Sequence, residues 1–132
     1  MTILLDTNAY SALFRGHADV AHRVRRAERV LLSVVVVGEL LFGFRNGSRY
    51  ETNRQELDEF LANPFVSLLN VGLVTADRFG RIASVLKRKG KPLPTNDIWI
   101  AAQAMETGAE LVSFDHHFED VDGLAWTPPL DQ

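Results

Sequence analysis

Val30-Leu31-Leu32-Ser33-Val34-Val35-Val36-Val37-Gly38-Glu39-Leu40-Leu41-Phe42-Gly43-Phe44 is the stretch on which the fold turns, because its apolar, β-branched composition admits two readings. Residues 30–37 read as one long strand broken only by Ser33. Alternatively, Ser33 caps a helix that runs through Glu39 to Phe44 and stops at Asn46-Gly47. The second reading is preferred, since a strand of about fifteen residues would be unusually long. It also places Glu39 on a helix whose neighbours one turn away are Val35, Val36, Phe42 and Gly43. A carboxylate on such a face is costly unless something pairs with it.

Working outward, residues 1–5 form a short apolar run that ends at Asp6-Thr7-Asn8, a cluster suited to a turn or a helix cap. A helix is expected over 9–15, closed by Gly16. Residues 17–29 carry Val20, Val24 and Ala27 at helical spacing, with Arg23, Arg25, Arg26 and Arg29 around the rest, and read as an amphipathic helix with a basic side. Another helix is expected over 49–62, stopped by Asn63-Pro64. Residues 65–71 read as a strand and 75–89 as a helix ended by Gly90. Lys91-Pro92-Leu93-Pro94 is a stiff linker that delivers the chain to Thr95-Asn96-Asp97. Residues 98–107 are apolar nearly all round and mark a central helix. A strand at 110–114 and a final one at 124–127 complete the pattern. Short apolar strands alternating with helices predict an α/β domain spanning 1–132, with helices flanking a mostly parallel central sheet in three layers.

At 132 residues the chain fits one ordinary core. The absence of cysteine excludes disulfides, thiolate zinc sites and thiol catalysis. No signal-like N-terminus and no membrane-length apolar stretch is present, which predicts a cytoplasmic protein with no membrane partner. The 14 Lys and Arg against 17 Asp and Glu give a net charge of -3, so global charge does not attract nucleic acid.

Most of those acids sit on polar helix faces or one turn from an Arg or Lys. Four do not. Asp6 ends the first strand, Asp97 opens the most apolar helix, Asp115 follows the strand at 110–114, and Glu39 lies in the apolar stretch above. Each has an ordinary alternative: a cap for Asp6, a first-turn dipole partner for Asp97, a loop acid for Asp115, a solvent-facing position past a strand end for Glu39. Yet strand ends and the helix starts after them surround the crevice of an open α/β sheet, where ligands bind. Two like charges about 5 Å apart at an effective dielectric near 20 repel by roughly 3 kcal/mol, so converging carboxylates take up protons or recruit a cation. Oxygen-only ligation favours Mg²⁺, with Mn²⁺ as the variant, and the chemistry that follows is metal-dependent phosphodiester hydrolysis. Position 8 is Asn, which argues against an aspartyl-phosphate phosphatase. His116-His117 is a poor zinc pair because adjacent residues rarely face one ion, and no glycine-rich phosphate cradle occurs.

These residues carry a pattern. Leu4-Leu5-Asp6-Thr7-Asn8, the run from Ser33 to Glu39-Leu40, Asn96-Asp97-Ile98-Trp99-Ile100-Ala101-Ala102 and Leu111-Val112-Ser113-Phe114-Asp115-His116-His117-Phe118 stand in order along nearly the whole chain. In them the sequence resembles the PIN-domain ribonucleases, and among those the VapC-type toxins of toxin–antitoxin pairs. The resemblance implies that Asp6, Glu39, Asp97 and Asp115 form an acidic metal pocket, supported by Thr7, Asn96 and Ser113. It implies RNA as substrate, Mg²⁺ as cofactor, a cognate antitoxin as inhibitor and a homodimer as the working assembly. An antitoxin would meet exposed Leu and Phe residues of the early helices. RNA phosphates would need local cations, for which Arg23, Arg26, Lys87 and Arg88 are candidates within two basic clusters. Two other readings stay open: a housekeeping PIN nuclease without an antitoxin, and a non-catalytic module whose acids bind a basic peptide. If four of the 17 acids hold a cation, the rest no longer outnumber the 14 Lys and Arg, and the net charge ceases to argue against RNA.

Overall fold

The structure, a computed structural model, describes residues 1–130. Four parallel strands form its sheet: β1 (Thr2–Leu5), β2 (Arg29–Ser33), β3 (Val66–Leu69) and β4 (Glu110–Val112). Their spatial order is β3-β2-β1-β4. Between them run α1 (Thr7–Phe14), α2 (Ala18–Arg26), α3 (Val34–Arg45), α4 (Tyr50–Ala62), α5 (Leu73–Lys89) and α6 (Thr95–Thr107), and a short 3₁₀ helix follows at His116–Asp120. Ile3, Leu4 and Leu5 of β1 and Leu32 of β2 are wholly buried, as expected of central parallel strands covered on both faces by helices.

The chain steps outward from β1 through β2 to β3, then returns to place β4 on the other side of β1. The reversal point of an open α/β sheet therefore lies between the carboxyl ends of β1 and β4, where a crevice is expected. Asp6 and Ser113 are the residues that immediately follow those two strands. The Asp6 N–H donates to Val112 O at 3.3 Å and carries the β1–β4 pairing one residue further.

The ambiguous stretch resolves into strand followed by helix. Ser33 ends β2 and caps α3: its backbone is extended and its Oγ accepts the Val35 N–H at 3.0 Å. Val36 and Leu40, one turn apart on α3, are buried, and Glu39 stands beside them half-buried. The all-parallel sheet flanked by helices is the α/β architecture read from the sequence.

Two expectations are corrected. The helix over 17–29 ends at Arg26, because the chain must turn extended at Ala27 to pair with β1. Glu28 N–H donates to Met1 O at 2.9 Å and Arg29 aligns with Thr2, so Arg29 belongs to β2 and leaves the basic helix. Residues 124–127 form no strand. They make one parallel bridge, Trp126 to Leu111, with Leu111 N–H donating to Ala125 O at 2.8 Å. Pro128 and Pro129 then lack the N–H groups needed to extend it.

Candidate active site

Asp6 enters the site directly from β1. Its Oδ1 accepts the Ala9 N–H at 2.9 Å, so the residue caps α1. Only 6% of Asp6 is exposed. Burial raises its pKa above the usual carboxylate value. The Ser113 hydroxyl and the Ala9 N–H pull the other way, and Asp115 and Glu39 add to the rise.

Glu39 is brought to the same place by α3. Thr7, the first residue of α1, donates its hydroxyl to Glu39 Oε1 at 2.6 Å, joining two elements 32 residues apart in sequence. Asp97 lies in the first turn of α6 and is half-buried. Its pKa is pushed up to about 6, first by burial and then by the charges of Asp115, Asp6 and Glu39, with His117 opposing. Asp115 begins the 3₁₀ helix after β4. Its Oδ1 accepts the His117 N–H at 2.9 Å and lies 3.0 Å from His117 Nδ1, and its own N–H donates to Ser113 Oγ at 3.0 Å.

The four sequence-selected acids thus share one electrostatic neighbourhood at the carboxyl end of the sheet. Thr7 and Ser113 act on them directly. Asn96 is exposed and lines an open cleft of about 690 Å³ together with Thr7, Val34, Glu39 and Phe42. Among the described residues, no three His, Cys, Asp or Glu side chains close into a ready metal cage. The four acids share this neighbourhood without closing on one point. Their donor set is all oxygen, and burial first, then the charge of the neighbouring carboxylates, raises the pKa of Asp6 and Asp97. That chemistry fits a hard divalent cation.

Phe42 was not selected from the sequence. It is 73% exposed and lies three residues after Glu39 on α3, so helical spacing alone would have placed it on the wall of the same cleft. The basic candidates divide. Arg26 is exposed, with Nη1 3.5 Å from His22 Nε2. Lys87 and Arg88 are exposed on the last turn of α5, and Lys87 shares a hollow with Lys91, Leu93 and Ile98 beside the start of α6. The Arg23 side chain is only 18% exposed, and its guanidinium is engaged by Asp19, Glu110 and the carbonyls of Thr127 and Pro128.

The chain matches the PIN domain family over residues 3–124. Ribonuclease VapC1 of Haemophilus influenzae strain R2866 is 28% identical over 131 residues, 96% of each chain. Ribonuclease VapC2 of H. influenzae strain Rd is 31% identical over 112 residues, 83% of each chain. A chain in the structure of VapBC-1 from nontypeable H. influenzae superimposes with a TM-score of 0.85 at 26% identity, over 97% of this chain and 98% of that one. Matched in sequence from β1 to the turn after the last acid, and in fold over nearly its whole length, this chain belongs to the PIN-domain family and within it groups with the VapC ribonucleases.

Proposed function

We propose that this chain is a divalent-metal-dependent endoribonuclease, a single PIN-like domain over 1–132, and the toxin of a toxin–antitoxin pair. The observation that carries the reading is the placement of four acids around the reversal point of the sheet: Asp6 directly after β1, Glu39 tied by Thr7 to the start of α1, Asp97 in the first turn of α6 and Asp115 in the loop after β4. Acidic groups brought together in this way favour a positively charged ligand, which supports the reading. The relatives named as VapC ribonucleases, and the neighbouring VapBC structure, support both the reaction and an antitoxin partner.

Asp6, Asp97 and Asp115, with Glu39 beside them, are the residues that would hold Mg²⁺ or Mn²⁺. A bound divalent cation supplies Lewis-acid stabilisation of a phosphodiester and lowers the pKa of water. The chain's own groups set the geometry. Ala9 N–H fixes the Asp6 carboxylate, Thr7 fixes Glu39, and the Ser113 hydroxyl oxygen receives the Asp115 N–H. Glu39 faces the open cleft and is the group placed to accept a proton from an attacking water. The RNA strand runs along that cleft past Asn96 and Phe42, with Arg26, Lys87 and Arg88 as the cations free to meet its phosphates. Phe14 and Phe42, exposed on α1 and α3, are the apolar groups offered to an antitoxin, and a homodimer is the proposed assembly.

The test is cleavage of a structured RNA by the purified chain. Cleavage with Mg²⁺ or Mn²⁺ that stops on addition of a chelator and resumes on readdition of the ion is the expected result. No cleavage with either ion, or cleavage unaffected by the chelator, overturns the reading.

A further inference from the structure

We infer that residues 125–130 form a strap that positions Asp115, with Trp126 as the positioning residue and Arg23 as the anchor. Trp126 grips the loop after β4 at two points. Its Nε1–H donates to Ser113 O at 3.0 Å, and its ring meets that of His116 edge-on, with centroids 5.4 Å apart and an interplanar angle of 85°. Asp115 lies between those points. Ser113 is wholly buried. Its hydroxyl receives the Asp115 N–H and also acts on the Asp6 carboxylate. The indole thus holds the residue whose hydroxyl receives the Asp115 N–H.

Trp126 is in turn held in register. Leu111 N–H donates to Ala125 O, and Trp126 bridges to Leu111 of β4. Beyond that point Pro128 and Pro129 have no N–H, so backbone pairing cannot secure the end of the strap. Arg23 does so from α2. Its Nη1 donates to Thr127 O at 2.8 Å and its Nη2 to Pro128 O at 3.0 Å. Asp19 at 3.2 Å and Glu110 at 3.7 Å orient the guanidinium, and Asp19 Oδ2 accepts the Leu130 N–H at 2.9 Å. A fork of charge-assisted donors across two successive carbonyls fixes both position and direction. Two carboxylates on different elements, α2 and β4, hold that fork in place. The sequence suggested a phosphate contact for Arg23; the structure assigns it to the chain's own carbonyls.

The importance of Asp115 rests on the ribonuclease reading, whereas the link between strap and loop does not. The experiment uses the full chain and two variants. Trp126→Phe keeps a ring and deletes the donor to Ser113 O, and Arg23→Gln releases the strap while leaving the indole intact. Hydrogen exchange at the amides of 113–117 is expected to accelerate by about five- to tenfold in both. In the same variants kcat for RNA falls by about tenfold or more, KM for RNA stays within about twofold, and Mn²⁺ affinity measured by calorimetry drops about tenfold. Folded variants that exchange at 113–117 like the wild type overturn the inference. If Trp126→Phe does not fold, Arg23→Gln decides. If neither folds, the strap is a folding element and the positioning role is lost. A wild-type chain that neither cleaves RNA nor binds Mn²⁺ removes the ribonuclease reading, and exchange still decides the strap.

Discussion

Asp97→Asn lowers RNA cleavage by at least about a hundredfold and at the same time raises the thermal midpoint of the metal-free chain at pH 7.5, an expected pairing of lost function with gained stability. The carboxyl of Asp97 is raised from 3.8 to about 6 in the folded chain, so the folded state binds the proton more tightly than the unfolded one. Stability from this group is therefore fully present below the unfolded value and is lost as pH rises through about 6. At pH 7.5 the wild type carries an ionised Asp97 that is penalised first by its burial and then by the acidic groups around it. Solvent screening at this half-exposed position reduces that penalty, leaving about 1 kcal/mol for Asn to recover. Melts of both proteins at pH 5 and pH 7.5 check this: the gap between them opens at pH 7.5 and narrows at pH 5. A midpoint that falls at pH 7.5, or cleavage that survives, contradicts the assignment of Asp97.

The largest effect on stability is expected at Phe118. It lies in the 3₁₀ helix directly after Asp115, 1% exposed, and is the largest of the wholly buried side chains. Its N–H donates to Asp115 O at 3.3 Å, so the ring and the backbone of the acid loop are one packed unit. Phe118→Ala removes the ring and leaves a cavity, at a cost of about 3–5 kcal/mol. For a chain of this size the thermal midpoint drops by on the order of 10 °C or more. Phe118→Leu, which keeps most of the volume, costs about 1 kcal/mol. Scanning calorimetry on the two variants is the measurement. Equal midpoints for Ala and wild type would show that the loop is not packed by this ring.

What was legible in the sequence was what periodicity and chemistry carry locally. β1 and β2 showed as apolar runs, Ser33 as a cap, and the four acids as charges where surface placement explains little. The apolar surroundings of Glu39 located α3 and one wall of the cleft together. The helix over 17–29 was drawn too long because apolar spacing continues through Ala27, while the demand for a strand comes from β1, which lies far away in sequence. Residues 124–127 looked like a strand because Leu124, Ala125 and Trp126 are compatible with one, but the prolines that follow limit pairing to a single bridge. Arg23 could not be distinguished from Arg26 by sequence. Its partners are carbonyls 104 and 105 residues away, and carbonyls carry no side-chain signature. Trp126 was missed for the same reason: its contact is a backbone oxygen at Ser113.

In the proposed function, Asp6, Asp97 and Asp115, with Glu39, hold a divalent cation at the carboxyl ends of β1 and β4. Anomalous scattering from a crystal of the chain soaked in Mn²⁺ tests it most directly. A peak is expected between α6 and the loop after β4, with oxygens of Asp97 and at least one of Asp6 and Asp115 within about 2.0–2.6 Å of it. A soaked crystal with no peak at these carboxylates, while the same protein cleaves RNA in Mn²⁺, would contradict it.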